Sequence, residues 1–374
     1  MKIRKITITD HRIKVDPVFP AAWDSQPRDF FDATVVAVET DSGQVGYGSG
    51  DAMYGFEGYS HLFLGKDALD IDRHYQVLEN ISFHASRCWP LDLALWDLKA
   101  VHEGVPVYQA LGGSQSKVPL YASTGSHKSP EETSLMCQEF EKQGFQAIKL
   151  RFGRSQIEAD FEVLDAAMEA TGGRVEYMVD CNQGWRMPWD TQKPWTLKKA
   201  RTVAEALEER GVLWMEEPLH RGDYEGMAAL CREREMWIAG AEMTRDAHEF
   251  DQLIREECLD VLQPDVVVSL GMTGLYRIGN LAKRKGIRFS PHTWGNGLGV
   301  LANAHVAAAV GTAPFLEYPL DPPAWVPSVR DFFFESSLLV SDGHLDLGTS
   351  PGWGQNLDTA VLKETETNRR VFQG

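Results

Sequence analysis

The sequence predicts an α/β protein, a (β/α)8-type, TIM-like barrel with an N-terminal α+β capping domain that the C-terminal segment completes. First, strand and helix signals alternate eight times between residues 118 and 320, the number that such a barrel requires. Second, residues 1–117 lack this alternation and show paired strand patterns instead. Third, glycine repeatedly follows the helical stretches, at Gly144, Gly172, Gly211, Gly286 and Gly311. An open doubly wound sheet is the rival architecture.

The capping domain, residues 1–117, begins with two strand patterns. "KIRKITITDHRIKV" and "ATVVAVETDSGQVGYGSG" have the alternation and turn residues of a hairpin or meander. "HASRCWPLDLALWDLKAVHEG" has the apolar spacing of a helix. Residues 321–374 contain no further strand–helix unit, so we expect them to return to the capping domain.

The barrel domain, residues 118–320, is expected to carry the metal and catalytic residues. Its first helix starts at "SPEE", an N-terminal capping signal. The eight predicted strands lie in "VPLYAST", "FQAIKL", "VEYMVD", "VLWMEEP", "WIAGAE", "LDVLQPD", "IRFSPH" and "PFLEYP".

Composition and charge exclude several classes of protein. The 374 residues carry a formal net charge of −17, which disfavours nucleic acid and anionic membranes as partners. The five cysteines show no CxxC spacing, which argues against a zinc site or a disulfide framework. With no signal peptide in view and no apolar run of membrane-spanning length, we expect a cytoplasmic enzyme or binding protein for a small molecule.

Acidic residues end three successive predicted strands, at Asp180, Glu216 and Glu242. In a barrel the carboxyl ends of the strands meet at one rim, and three carboxylates there would repel one another without a counter-ion. An all-oxygen set suits Mg²⁺ better than zinc. The sequence therefore predicts a magnesium site. Glu217 should face away from it and support a ligand or cap a helix.

Two cations, Lys149 and Arg151, end the second strand and share one face because they are two positions apart. Together with a divalent metal they would make the site net positive, which favours an anionic substrate. Asp265 and His292 end neighbouring strands. A carboxylate that holds one imidazole nitrogen makes the other a candidate general base or acid.

Together the motifs resemble the enolase superfamily, and within it the mandelate racemase-like subgroup. The resemblance covers nearly the whole chain. Each motif is weak alone, but the order of the motifs along successive strands is specific. It includes "PLDLALWDLKA" in the capping domain, followed by "IKLR", "VDCNQGW", "WMEEP", "AGAE", "LQPD", "SPHTWG" and "LEYP".

The resemblance implies an enzyme that removes the proton next to a substrate carboxylate and stabilises the enediolate with Mg²⁺. It implies that Lys149 and Arg151 contact the substrate oxygens. It also implies that Glu317, if protonated, hydrogen-bonds the substrate carboxylate. The metal ligands it implies are Asp180, Glu216 and Glu242, and the dyad is Asp265 with His292.

One position departs from the racemase pattern. Racemases of the family carry two lysines on the second strand, whereas here the second is Arg151, which keeps its proton. A single base, His292, favours loss of water from a sugar acid (an aldonate or aldarate) to give a 2-keto-3-deoxy acid. A racemase, epimerase or lactone cycloisomerase is the alternative, and a non-catalytic metabolite-binding protein is the alternative of another class.

Substrate contacts outside the barrel are expected from residues 16–32, "DPVFPAAWDSQPRDFFD", a loop that contains Arg28. Asn182 and Trp294 are further expected substrate contacts at the barrel rim. Because enzymes of this family are commonly dimers or octamers, the resemblance also implies a homo-oligomer.

Overall fold

Two sheets organise residues 1–185, 193–338 and 340–374, which the computed structural model describes. The larger sheet contains eight parallel strands in barrel order, so the predicted fold class is confirmed. The smaller sheet is antiparallel and contains, in spatial order, β14 (Glu366–Gln373), β1 (Ile3–Phe19), β2 (Arg28–Thr40) and β3 (Val45–Gly50).

The antiparallel sheet is covered on one face by helices. The helices of this part are α1 (Ile71–Ile81), α2 (Trp89–Glu103) and the short α3 (Val107–Ala110). Helix α2 lies against β3 so closely that a Cβ on Gly48 would come within 1.9 Å of the Pro90 carbonyl oxygen, and one on Gly46 within 2.2 Å of the Ala94 carbonyl oxygen. Only glycine permits this contact.

Helix α2 also joins the capping domain to the barrel. Its indole groups donate across the interface, from Trp89 to the Ser269 carbonyl at 3.0 Å and from Trp96 to Thr273 Oγ1 at 2.8 Å. The buried Asp92 accepts from the Thr273 backbone N–H at 2.8 Å. Because α2 is covered on both sides, it is apolar around most of its circumference.

The barrel repeats strand and helix. Helix α4 begins with a capping box between Ser129 and Glu132, as the sequence predicted. The strands are β4 (Lys117–Ser123), β5 (Ala147–Arg151), β6 (Glu176–Asp180), β7 (Trp214–Glu216), β8 (Trp237–Gly240), β9 (Val261–Leu262), β10 (Arg288–Phe289) and β11 (Leu316–Pro319). The helices are α4 (Pro130–Lys142), α5 (Ile157–Thr171), α6 (Leu197–Glu208), α7 (Tyr224–Glu233), α8 (Ala247–Arg255), α9 (Gly271–Arg284) and α10 (Gly297–Val310).

The C-terminal segment contacts both sheets. It contains α11 (Pro327–Arg330), β12 (Val340–Ser341), β13 (His344–Asp346) and α12 (Thr359–Thr365) before β14. Strand β13 pairs antiparallel with β4 of the barrel, whereas β14 pairs antiparallel with β1. Among the described residues, no helix combines the length and apolar character needed to cross a membrane.

Candidate active site

An apolar layer inside the barrel supports the site. It consists of Tyr121, Ala147, Met178, Trp214, Ala239 and Val261, all fully buried. Because positions i and i+2 of a strand share a face, the residues two positions further along also point inward, one layer nearer the carboxyl rim. On the first four strands these residues are polar: Ser123, Lys149, Asp180 and Glu216.

Three carboxylates converge above this layer, those of Asp180, Glu216 and Glu242. The strand register places Asp180 beside Glu216, and Glu242 follows the next strand, β8. One carboxylate oxygen from each of the three residues lies within 4.8 Å of the other two. All three residues are at most 6% exposed. The structure therefore brings the three predicted metal ligands together.

The two cations of β5 contact these acids directly. Lys149 Nζ lies 2.6 Å from Glu216 Oε1 and 3.7 Å from Asp180 Oδ2. Arg151 donates to the Asp180 carboxylate and, through Nε, to the Thr124 carbonyl at 2.7 Å. Burial alone would lower the pKa of Lys149, but Glu216 and Glu317 raise it above its ordinary value. Both side chains are therefore fixed as cations.

The donor set fits a divalent cation. All three groups are carboxylates, the ligands that Mg²⁺ prefers. Burial, supported by the neighbouring acids and opposed by Lys149, raises the pKa of Glu216 to about 7. Burial therefore disfavours the charged form of Glu216, and Mg²⁺ held by the three carboxylates would stabilise that form.

The predicted dyad is also assembled. His292 Nδ1 lies 2.9 Å from Asp265 Oδ2, while Asp265 Oδ1 accepts from the Val267 N–H at 2.8 Å and from Asn303 Nδ2 at 3.0 Å. These contacts fix the carboxylate, which in turn orients the ring. Nε2 of His292 remains directed at the acids, 3.4 Å from Glu242 Oε2.

The surroundings of Glu317 favour its ionised form rather than the protonated one. Its Oε1 lies 2.8 Å from Lys149 Nζ and accepts from Ser123 Oγ at 2.7 Å, and its Oε2 accepts from the Thr293 N–H at 2.8 Å. Burial favours the protonated acid, but Lys149, His292 and Arg151 outweigh it and hold the pKa of Glu317 below its ordinary value. Glu317 is therefore held ionised in contact with Lys149, and its contact with the substrate stays a prediction.

Three residues to which the sequence assigned no role take part in the site. Ser123 Oγ accepts a hydrogen bond from Trp294 Nε1 at 3.0 Å and donates one to Glu317, so it links the two side chains. Gln263 Nε2 donates to Glu216 Oε2 at 2.8 Å, and Trp185 Nε1 donates to Glu242 Oε1 at 3.1 Å. The ends of the strand segments "YAST" and "LQPD" could have indicated Ser123 and Gln263 as inward-facing polar residues.

A cavity of about 270 Å³ opens above these residues, between the barrel rim and the capping domain. The expected contacts Arg28, Asn182 and Trp294 all line it. The segment predicted as a loop over residues 16–32 is largely the end of the β1–β2 hairpin, because β1 continues to Phe19 and β2 begins at Arg28. Strand pairing therefore supports the side chains above the cavity.

Of the two roles expected for Glu217, helix capping is wrong, and support of a metal ligand stays a prediction. The N-cap of the following helix α7 is Asp223, so Glu217 caps no helix there. Its side chain instead packs against Gly184, where an added Cβ would come within 2.1 Å of Glu217 Oε1. Its Oε2 has no hydrogen-bond partner within the described ranges. The left-handed backbone at Glu217, with φ 45°, turns it out of the strand pattern.

Sequence comparison identifies the family. Residues 133–361 match the family described as "Enolase C-terminal domain-like". The arabinonate dehydratase of Saccharolobus solfataricus is 31% identical over 277 residues, which cover 73% of this chain and 70% of that protein. The D-galactarolactone cycloisomerase of Agrobacterium fabrum is 27% identical over 352 residues, which cover 88% and 90%.

Solved structures agree on the fold. L-talarate dehydratase from Polaromonas sp. JS666, complexed with Mg and L-glucarate, matches with a TM-score of 0.87 at 24% identity over 100% of this chain and 99% of that chain. The 3,6-anhydro-D-galactonate cycloisomerase from Zobellia galactanivorans matches with a TM-score of 0.82 at 26% identity over 98% and 100%. The chain therefore belongs to the enolase superfamily, in its mandelate racemase-like subgroup.

Proposed function

We propose that the protein is a Mg²⁺-dependent hydro-lyase that converts a sugar acid, an aldonate or aldarate, to a 2-keto-3-deoxy acid. The observation that carries this proposal is the arrangement of one candidate base, His292, against the carboxylate triad, with Arg151 at the position where a second base would be needed for racemisation. Arginine keeps its proton and cannot easily serve as that base. The similarity to arabinonate dehydratase supports the same reaction class.

The first step is proton removal. His292 Nε2 takes the proton from the carbon next to the substrate carboxylate, and Asp265 stabilises the imidazolium through Nδ1. The electrons of the C–H bond move into the carboxylate, where Lys149 offsets the growing charge. Asp180, Glu216 and Glu242 would hold Mg²⁺, which would stabilise the same charge as a Lewis acid.

The second step is loss of water. The bond between C3 and its hydroxyl oxygen breaks, and the oxygen leaves with a proton from the imidazolium of His292 when both groups depart on one face. The C2–C3 double bond that forms is an enol, which tautomerises to the 2-keto acid. The net reaction is loss of one water molecule, and no oxidant or reductant is needed.

An isomerase is the second candidate, and the D-galactarolactone cycloisomerase relative supports it. A racemase, epimerase or cycloisomerase would share the proton removal but retain every oxygen atom of the substrate. The two functions are therefore distinguished by whether a 2-keto acid is released.

The test is to incubate the protein with Mg²⁺ and a panel of acid sugars, to assay 2-keto acids, and to follow the C2 proton by NMR in heavy water. We expect keto acid from at least one sugar, abolished by a chelator and restored by added Mg²⁺. Exchange at C2 without keto acid would favour the isomerase. Binding of acid sugars with neither product nor exchange would indicate a non-catalytic protein.

A further inference from the structure

The two ends of the cavity differ in charge. At the barrel end, the buried cation Arg151 lines the cavity and can receive a carboxylate. At the far end, the capping domain contributes three charged residues to the lining, Arg28, Asp32 and Asp51. The balance of charge there decides whether a second carboxylate can bind.

Two of these three charges are already paired. Arg28 donates through Nε and an amino group to Asp24 Oδ2 at 3.3 and 3.2 Å. Asp32 accepts both hydrogen bonds of a bidentate pair from Arg12, at 2.7 and 2.9 Å. Neither pair adds net charge to the cavity, and to bind a second carboxylate tightly Arg28 would have to release Asp24.

Asp51 is different because its carboxylate has no hydrogen-bond or ionic partner in the part of the chain that the structure describes. It follows β3, lines the cavity and is exposed there. Within the described ranges, no donor bonds to its oxygens, and only the more distant charges of Asp265, Arg245 and Arg87 act on it. The nearby Asn296 cannot replace it as an acceptor, since its Oδ1 accepts from the Leu298 and Gly299 N–H groups, both at 3.1 Å.

The more distant charges do not reverse this balance. Arg87 and Arg245 interact favourably with Asp51. Asp246 and Glu249 also interact with Arg87 and offset part of its positive charge. Although Asp51 is open to the cavity, the surrounding wall removes much of its hydration, and this desolvation, followed by the carboxylate of Asp265, raises the pKa of Asp51 despite both arginines. The same causes would act on a second carboxylate placed beside Asp51. A hydroxyl group carries no charge and would supply the missing donor.

We propose, on the basis of the function proposed above, that the substrate is a sugar monocarboxylate, an aldonate, and that Asp51 selects it by accepting a hydrogen bond from a hydroxyl remote from C1. Trp23, Phe31 and Trp325 also line the cavity and would pack against the C–H faces of the sugar chain. Aldarates, which end in a second carboxylate, meet the unpaired Asp51 and are rejected.

The test uses matched pairs that differ only at the terminal carbon: D-gluconate with D-glucarate, D-galactonate with galactarate, and D-arabinonate with D-arabinarate. Binding is measured by calorimetry with Mg²⁺, and turnover by the keto-acid assay. In the pair that contains the best substrate, we expect the aldonate to be favoured by about 10- to 100-fold in binding and in kcat/KM. Asp51→Asn should reduce this preference by about tenfold or more.

The control is Asp29→Asn, which removes an exposed acid of β2 outside the cavity and should leave the preference unchanged. Preference for the aldarates, or an unaltered preference in a folded Asp51→Asn protein, would overturn this inference while leaving dehydration intact. Selective aldonate binding without keto acid or C2 exchange would support the inference and refute the proposed reaction. Failure to bind any acid sugar would refute both.

Discussion

At the scale of single residues, His292 has the geometry of a base, and replacing its side chain tests that role. In His292→Asn the side chain remains polar but cannot take up a proton, so we expect keto-acid formation to fall by about 10²- to 10⁴-fold. Substrate and Mg²⁺ affinity should change little, because the three acids and Lys149 remain. Calorimetry and steady-state kinetics measure the two effects separately. The exposed His102→Asn is the control, and near-normal turnover by His292→Asn would refute the assignment.

Arg151 is held from three sides, which a lysine cannot reproduce. It donates to the Thr124 carbonyl and to Asp180, and its guanidinium lies 4.6 Å from the centre of the Trp23 ring. We expect Arg151→Lys to lower kcat/KM by about tenfold or more, since an ammonium cannot form the planar set of contacts. Arg201→Lys, which alters a bidentate surface pair with Glu233, is the control. Equal activity of both variants would show that charge alone suffices at Arg151.

The sequence could predict where the site residues lie, but it could not predict their protonation states. The inward direction of Asp180 and Glu216 follows from the two-residue period of a strand and the known location of barrel chemistry. The ionised state of Glu317 could not be predicted in this way, because it depends on Lys149 and on donors from two other strands. Such convergence is visible only when the register of the strands is known.

At the scale of elements, the β1–β2 hairpin packs against the barrel rim through aromatic rings. Trp23 meets Trp294 edge to face at 4.8 Å between ring centres, and it also covers the Arg151 guanidinium. Trp325 stacks on Trp294 from the segment after β11, at 5.8 Å. The hairpin therefore helps to position Arg151 as well as to cover the cavity.

Removing Trp23 should affect binding more than folding, because this residue is only partly buried. An aromatic pair and a cation–π contact each contribute about 1 kcal/mol, so we expect Trp23→Ala to raise KM by about tenfold. Kinetics and a thermal unfolding scan measure the two effects. Phe30→Ala, which changes the exposed side of the same hairpin, should alter neither. A large drop in the unfolding temperature of Trp23→Ala without a change in KM would contradict this role.

The starts and lengths of some helices and strands could be predicted from local sequence, and those of others could not. Helix α4 has both a capping box and an amphipathic pattern, so its start could be predicted. Strands β9 and β10 have only two residues each, and no local pattern is that short. The lengths of β1 and β2 were underestimated because proline and small residues between Asp16 and Asp32 are typical of a loop. Pairing between the two strands overrides that preference.

At the scale of the whole molecule, Asp97 connects three parts of the chain. This residue of α2 is 4% exposed, and it accepts from the Tyr47 N–H of β3 at 2.8 Å and from the Trp353 N–H of the C-terminal segment at 3.0 Å. Burial raises the pKa of Asp97 to about 7, although both N–H groups oppose the rise. No local pattern could indicate this role, because the contacts of Asp97 lie 50 and 256 residues away.

This raised pKa predicts how stability depends on pH. Between the unfolded value of 3.8 and about 7 the folded protein holds the Asp97 proton more tightly than the unfolded chain does. The stability that this protonation contributes is therefore fully present below pH 3.8 and is lost as pH rises through about 7, by up to about 1.4 kcal/mol per pH unit. Asp97→Asn is neutral at every pH and lacks this dependence.

We therefore expect the unfolding temperature of the unmodified protein, relative to that of Asp97→Asn, to fall between pH 5 and pH 7 and to level off above about pH 7. Calorimetric scans at single pH steps measure the difference, in which the other titrating groups largely cancel. The exposed Asp29→Asn should show a constant difference over the same range. A constant difference for Asp97→Asn as well would mean that the two N–H groups keep Asp97 ionised. The link between α2, β3 and the C-terminal segment would then be a charged one.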